Sequence, residues 1–317
     1  MVTFRSIASR LEGLAAQASG MRYGYVIALL RWLVPALFVG VVGYHLYRIG
    51  LSRVWLSPPT STAFYLVLVL PVLLQPSADL IIYRYLWRAA GLPPLWVLFR
   101  KRYMNALMLD YSGEAYFFLW ARKNVPRPDE IIAHSIKDSN VLSAGAGLAT
   151  NAIVLILLVA VTGVHVLRLN GVGFGSAVLA ATIPAVLCLA LIVGGRRLTV
   201  LTRAQMTTVF FMHFARSAGA LTLDFVLWWL SGALPTTFVC LEFVALRVLV
   251  SRLPLVPNKG LLFAGVAITA ASYLNASTPR VTAVVIIMSA FEQFMGFAVV
   301  GIPWLLERSG LRARLAR

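Results

Sequence analysis

Apolar residues run along this chain in long blocks. Six of them are long enough to cross a hydrocarbon core, which takes about 20 residues of helix. They lie near Tyr25–Leu46, Thr62–Tyr83, Ser139–Thr162, Phe174–Gly194, Met206–Leu230 and Val281–Leu306. Two further blocks do not read as simple spans. Tyr103–Ala121 carries Ser112-Gly113 near its middle, and Thr236–Asn275 is broken at Pro254, Pro257 and Gly260. Ahead of them all, Phe4, Ile7, Leu11, Leu14 and Ala18 recur at helical spacing among Arg5, Arg10 and Arg22. That is the pattern of a short helix lying on a membrane surface. The blocks predict an all-α, polytopic integral membrane protein. It has about six transmembrane helices plus two re-entrant or broken helical hairpins.

Composition strengthens this picture. Of 317 residues, 60% are hydrophobic and only 12% are charged, whereas a soluble domain is about half apolar and a quarter charged. The formal net charge is +17. The cations sit between apolar blocks, which favours the anionic face of a bilayer over nucleic acid as the partner. With the N-terminus cytoplasmic and Tyr103–Ala121 entering and leaving on one side, 19 of the 28 cations fall on the cytoplasmic side. This reading takes Arg100-Lys101-Arg102 and Arg122-Lys123 as basic flanks of a re-entrant segment. It places the chain in the cell inner (cytoplasmic) membrane with both termini cytoplasmic. The two cysteines, Cys188 and Cys240, each lie inside an apolar block and form no disulfide framework or zinc spacing.

An internal repeat is also legible. Leu86-Trp87-Arg88-Ala89-Ala90-Gly91-Leu92-Pro93-Pro94 and Leu227-Trp228-Trp229-Leu230-Ser231-Gly232-Ala233-Leu234-Pro235 share the pattern L-W-x3-G-x2-P, 141 residues apart. A span precedes each copy; a broken segment and another span follow it. Three spans per half reverse the second half, the inverted repeat common among transporters. The chain then divides into a basic interfacial segment (1–24), a first membrane repeat (25–165), a second, inverted repeat (166–306) and a basic tail (307–317).

The broken segments carry a resemblance. The run from Asn105 to Phe117 includes Gly113-Glu114, and the run from Leu253 to Gly260 includes Pro254 and Pro257. They resemble the N-x3-P-x3-G-E-x2-R and L-P-x2-P-G-G-x-G segments of the lysylphosphatidylglycerol synthase transmembrane (flippase-domain) family. Here Leu109 stands in place of Pro, Phe117 in place of Arg, and Asn258-Lys259 in place of glycines. The similarity runs from about Tyr25 to Leu306 and does not extend to the soluble aminoacyl-transferase domain of bifunctional members. It implies a divergent membrane lipid translocase rather than a lysyl transferase.

Polar residues at membrane depth nominate the site. A charge near the bilayer centre costs about 2.5–3.5 kcal/mol on insertion scales, so it needs a partner or a cavity. Asn105, Asp110 and Glu114 gather at the first break, with Arg252, Asn258 and Lys259 at the second. Arg216 shares a face of the fifth span with His213 and Asp224. These seven, Asn105, Asp110, Glu114, Arg216, Arg252, Asn258 and Lys259, are the expected substrate-binding residues, with the two breaks meeting mid-membrane. Glu242, Arg247 and Glu292 are further interior candidates. No Walker-type loop and no His/Cys cluster occurs, so no catalytic residue, metal or cofactor is expected. The expected function is flippase-like transport of an anionic phospholipid or polyprenyl-linked lipid. The alternatives are a membrane-embedded lipid transferase and a non-catalytic membrane partner of a lipid or glycan synthase. The expected partners are membrane lipids, anionic ones first, and beyond them a second copy of the chain or a synthase.

Overall fold

The computed structural model describes residues 54–88, 92–107, 111–162, 199–251 and 259–303. The 1–24 segment, the runs Tyr25–Leu46 and Phe174–Gly194, and the basic tail lie outside the described residues. So do Asp110, Cys188, Arg252, Pro254, Pro257 and Asn258.

Among the described residues every regular element is helical. The helices are α1 (Thr62–Leu68), α2 (Leu70–Trp87), α3 (Leu95–Leu107), α4 (Ser112–Asn124), α5 (Asp129–Thr162), α6 (Arg203–Ser231), α7 (Thr237–Ser251), α8 (Lys259–Tyr273) and α9 (Thr278–Gly296). A π-helical turn, Phe297–Gly301, continues α9.

Among the described residues, two stretches are long and apolar enough to cross a membrane: Thr62–Trp87, with 26 residues, and Thr278–Gly301, with 24. Only 28% and 22% of their most apolar windows are buried inside the protein. The core helix of a soluble protein hides most of such a surface; here Leu66, Leu73, Ile81, Phe294 and Phe297 face outward. The blocks Ser139–Thr162 and Met206–Leu230 lie in α5 and α6, of 34 and 29 residues. At 1.5 Å per residue these helices are roughly 51 and 44 Å long.

Local sequence explains the helix ends. Pro71 cannot donate to the carbonyl four residues back, and the chain breaks at Val69 between α1 and α2. α6 starts with a capping box in which Thr202 Oγ1 accepts from the Gln205 amide, while the Gln205 side chain accepts from the Thr202 amide. It stops at Gly232, whose φ of +60° suits glycine. α2 instead ends with Arg88 in the left-handed region.

The order long helix, short helix, short helix, long helix therefore occurs twice: α2 to α5, then α6 to α9. The Leu-Trp motifs are not in register with it. α2 stops at Trp87, whereas α6 runs on to Ser231, about one turn past Trp228. Two aromatic cores accompany the two sets. Tyr83, Trp87, Leu98 and Phe117 centre one; Trp228, Phe243, Phe263 and Phe64 centre the other.

The first hairpin extends beyond the expected Tyr103–Ala121. Its arms are the whole of α3 and α4, so Arg100-Lys101-Arg102 lies inside a helix and not on a flank. Lys101 is buried. Carboxylates on other helices pair with it and with Arg102, which is why part of a basic triplet can be buried between helices.

Candidate functional site

A cavity of about 310 Å³ opens among α2, α6, α7, α8 and α9, with α1, α3 and α5 each adding one residue to its wall. Leu68, Leu221, Phe263 and Met288 make an apolar side. Arg102, Arg216, Arg247, Asp224 and Glu292 supply its charges. That is three cations against two carboxylates.

Each arginine is placed by a definite partner. Pro76 lies inside α2 and has no N–H, which leaves the Val72 carbonyl without its helical donor. Arg102 Nη1 donates to that carbonyl at 2.8 Å, and Nη2 donates to Glu292 on α9 at 2.8 Å. Arg247 on α7 donates to Asp224 on α6 and stands over the Phe263 ring of α8 at 5.4 Å. Arg216 Nη2 donates to Ser143 Oγ on α5 at 3.1 Å. Among the described residues Arg216 pairs with no carboxylate, and its Nε has no hydrogen-bond partner in the protein. Arg216 and Asp224, on one face of α6, thus each find a partner on a different helix.

A second polar cluster is sealed. Lys101 Nζ donates to Asp79 at 2.8 Å and lies 3.9 Å from Glu114. The Tyr83 and Phe117 rings flank the ammonium at 5.2 and 5.4 Å. His213 Nε2 meets Ser139 Oγ at 3.0 Å, which makes this histidine a hydrogen-bonded packing residue. Beside the cluster, Asn105 Oδ1 accepts from the Gly113 amide at 2.6 Å, and Ser112 Oγ donates to the Met104 carbonyl at 2.9 Å. The backbones meet so closely that a Cβ on Gly113 would stand 1.9 Å from the Lys101 carbonyl oxygen.

The sequence-predicted residues thus separate. Arg216 lines the cavity. Asn105 and Glu114 belong to the closed hairpin, where Glu114 faces Lys101 of its own hairpin. Lys259 starts α8, next to Gly260 on the cavity wall. Asp110, Arg252 and Asn258 lie outside the described residues. Arg102 was missed as a cavity residue because it reads as a basic flank. The signal for it was in α2: a proline inside an apolar run frees a carbonyl, and a freed carbonyl at membrane depth needs a donor.

Compared with family models, curated proteins and solved structures, the chain matches none. Among the described residues no group of three or more His, Cys, Asp or Glu side chains is placed to hold a metal.

Proposed function

We propose that this chain is a lipid translocase of the inner membrane, flippase-like, moving an anionic phospholipid or polyprenyl-linked lipid. In this reading six helices span the bilayer, the two sets of four elements are inverted halves, and both termini are cytoplasmic. The cavity carries the argument. Its volume suits a headgroup rather than a whole lipid, and its wall joins an apolar side to a cationic one. Arg216 gives an anion a guanidinium to bind, and a guanidinium holds a phosphate with two parallel hydrogen bonds. Acyl chains need no pocket, since the outward faces of Thr62–Trp87 and Thr278–Gly301 are apolar. The resemblance of the Asn105–Phe117 segment to the lysylphosphatidylglycerol synthase transmembrane family points the same way.

The test is purified full-length protein in sealed vesicles with headgroup-labelled phosphatidylglycerol or phosphatidylcholine. A translocase transfers label between leaflets, the anionic lipid faster, and leaves lipid mass unchanged. A product of new mass means a transferase. No movement of any lipid removes the proposal.

A further inference from the structure

Three residues in each set of helices occupy matching stations. In the first, Asp79 on α2 holds Lys101 on α3, and the ammonium lies 5.4 Å from the centre of the Phe117 ring on α4. In the second, Asp224 on α6 holds Arg247 on α7, and the guanidinium lies 5.4 Å from the Phe263 ring on α8. Carboxylate and cation are 22 residues apart in one and 23 in the other. Cation and ring are sixteen apart in both. A fully buried tryptophan backs each trio: Trp87, stacked on Phe117, and Trp228, edge-on to Phe263. Each second arm carries a glycine shortly before its ring, Gly113 four residues ahead of Phe117 and Gly260 three ahead of Phe263. Only the two tryptophans belong to the Leu-Trp motif; the ion pairs and the rings do not follow from it, since it is one turn out of register.

The two copies differ in one respect. The first is shut. The Lys101 side chain is 4% exposed, and Gly113 is buried against the backbone of Lys101. The second is open. The Arg247 side chain is 43% exposed, Gly260 is exposed, and both stand on the cavity wall.

We propose that the two copies are one device seen in its two positions. The arms α7 and α8 close around Arg247 by seating Gly260 on the backbone of α7, as Gly113 is seated on Lys101. Closure removes Gly260, Phe263 and Ser251 from the cavity wall and leaves Arg247 facing Asp224 and a ring. An anionic group held there is then expelled. The Asp79–Lys101 station is the second anion site, reached when α3 and α4 part. The shut copy demonstrates that such a closed packing is attainable for this arrangement of residues. The open copy supplies the space that the anion needs. Two packings of one motif within a chain are the raw material of a bistable element. A glycine is required at 260 only for the closed position, since a Cβ there would meet backbone, as one on Gly113 would. The role of this closure in carrying a lipid headgroup rests on the translocase reading; the closure itself does not.

The experiment uses the full chain with Cys188 and Cys240 replaced by alanine, in nanodiscs of phosphatidylglycerol and phosphatidylethanolamine. One cysteine is placed at a time: Ser289→Cys on the cavity wall, or Ser139→Cys in the sealed cluster. The readout is the modification rate by a water-soluble methanethiosulfonate, with and without Gly260→Val. Blocking closure should raise the Ser289→Cys rate about twofold or more and lower the Ser139→Cys rate, because the accessible fraction follows the population of each state. Gly260→Ala, a smaller change, should act in the same direction and serves if the valine variant fails to fold. Unchanged rates in a folded variant overturn the proposal. Lipid movement by the same variants separates the two readings. If the parent moves no lipid, the translocase reading falls while the labelling still decides closure. If the parent and Gly260→Val move lipid equally fast, closure falls while the translocase reading stands.

Discussion

At the scale of the residue, the controlling fact is that cations have been taken out of water and given exact neighbours. Lys101 is sealed between Asp79 and two rings. Removing one member of a buried pair strands the other, at a cost of about 3–5 kcal/mol, whereas removing both together costs far less. Asp79→Asn and Lys101→Gln should each lower thermal stability by that order, and the double variant should recover most of it. Equal or additive losses in the double variant would mean that the pair is not the source. Arg102 carries a second, separable contribution, since it donates to the carbonyl that Pro76 leaves without a helical donor. Arg102→Gln should therefore destabilise the parent by about 3 kcal/mol, and by about 1 kcal/mol less in a Pro76→Ala background, where the restored amide serves Val72. A double-mutant cycle by chemical unfolding measures this coupling, and a value of zero would disconnect the two residues.

The element scale is that of hairpins and helix ends. The α3–α4 hairpin closes through Asn105 and Gly113, and a methyl group at 113 has no room beside the Lys101 carbonyl. Gly113→Ala should cost at least about 1–3 kcal/mol, as overpacking does, and should raise amide exchange across α4 before it affects α9. Much at this scale was readable in advance. The apolar blocks fall largely on helices wherever the chain is described, whereas Ser112-Gly113, read as the middle of the break, opens α4 just after the left-handed Tyr111. Two things were not readable. The triplet Arg100-Lys101-Arg102 has the look of a membrane-edge flank because its carboxylates lie on other helices, at positions no local spacing can connect. Asp79 is 22 residues away and Glu292 is 190. An order of long, short, short and long helices was legible, but the Leu-Trp motif does not keep register with it. Leucine and tryptophan packing tolerates a shift of one turn, whereas the ion pairs do not. Arg216, Asp224, Arg247 and Glu292 stood out within apolar blocks, but which cation meets which carboxylate is settled only on folding.

At the scale of the whole molecule, a bilayer makes a direct prediction about tryptophan fluorescence. In single-tryptophan variants, Ile81→Trp and Phe294→Trp should be strongly quenched by lipids brominated midway along the acyl chain. The buried native Trp87 and Trp228 should be quenched weakly. Equal quenching of all four would place the outward apolar faces somewhere other than in lipid. Arg102 has one more consequence, and it concerns time. Its carboxylate partner is made 190 residues later. At about 5–20 residues per second, the ribosome takes roughly 10–40 s to supply Glu292 after Arg102. Until then the early half of the protein holds an arginine whose anion does not exist. In the translocase reading proposed above, the first hairpin then reaches its final depth only when α9 arrives, and waits until then near the headgroups, where lipid phosphates can stand in. A nascent chain stopped before Glu292 should be cut by protease near Arg102, and one stopped well after it should be protected.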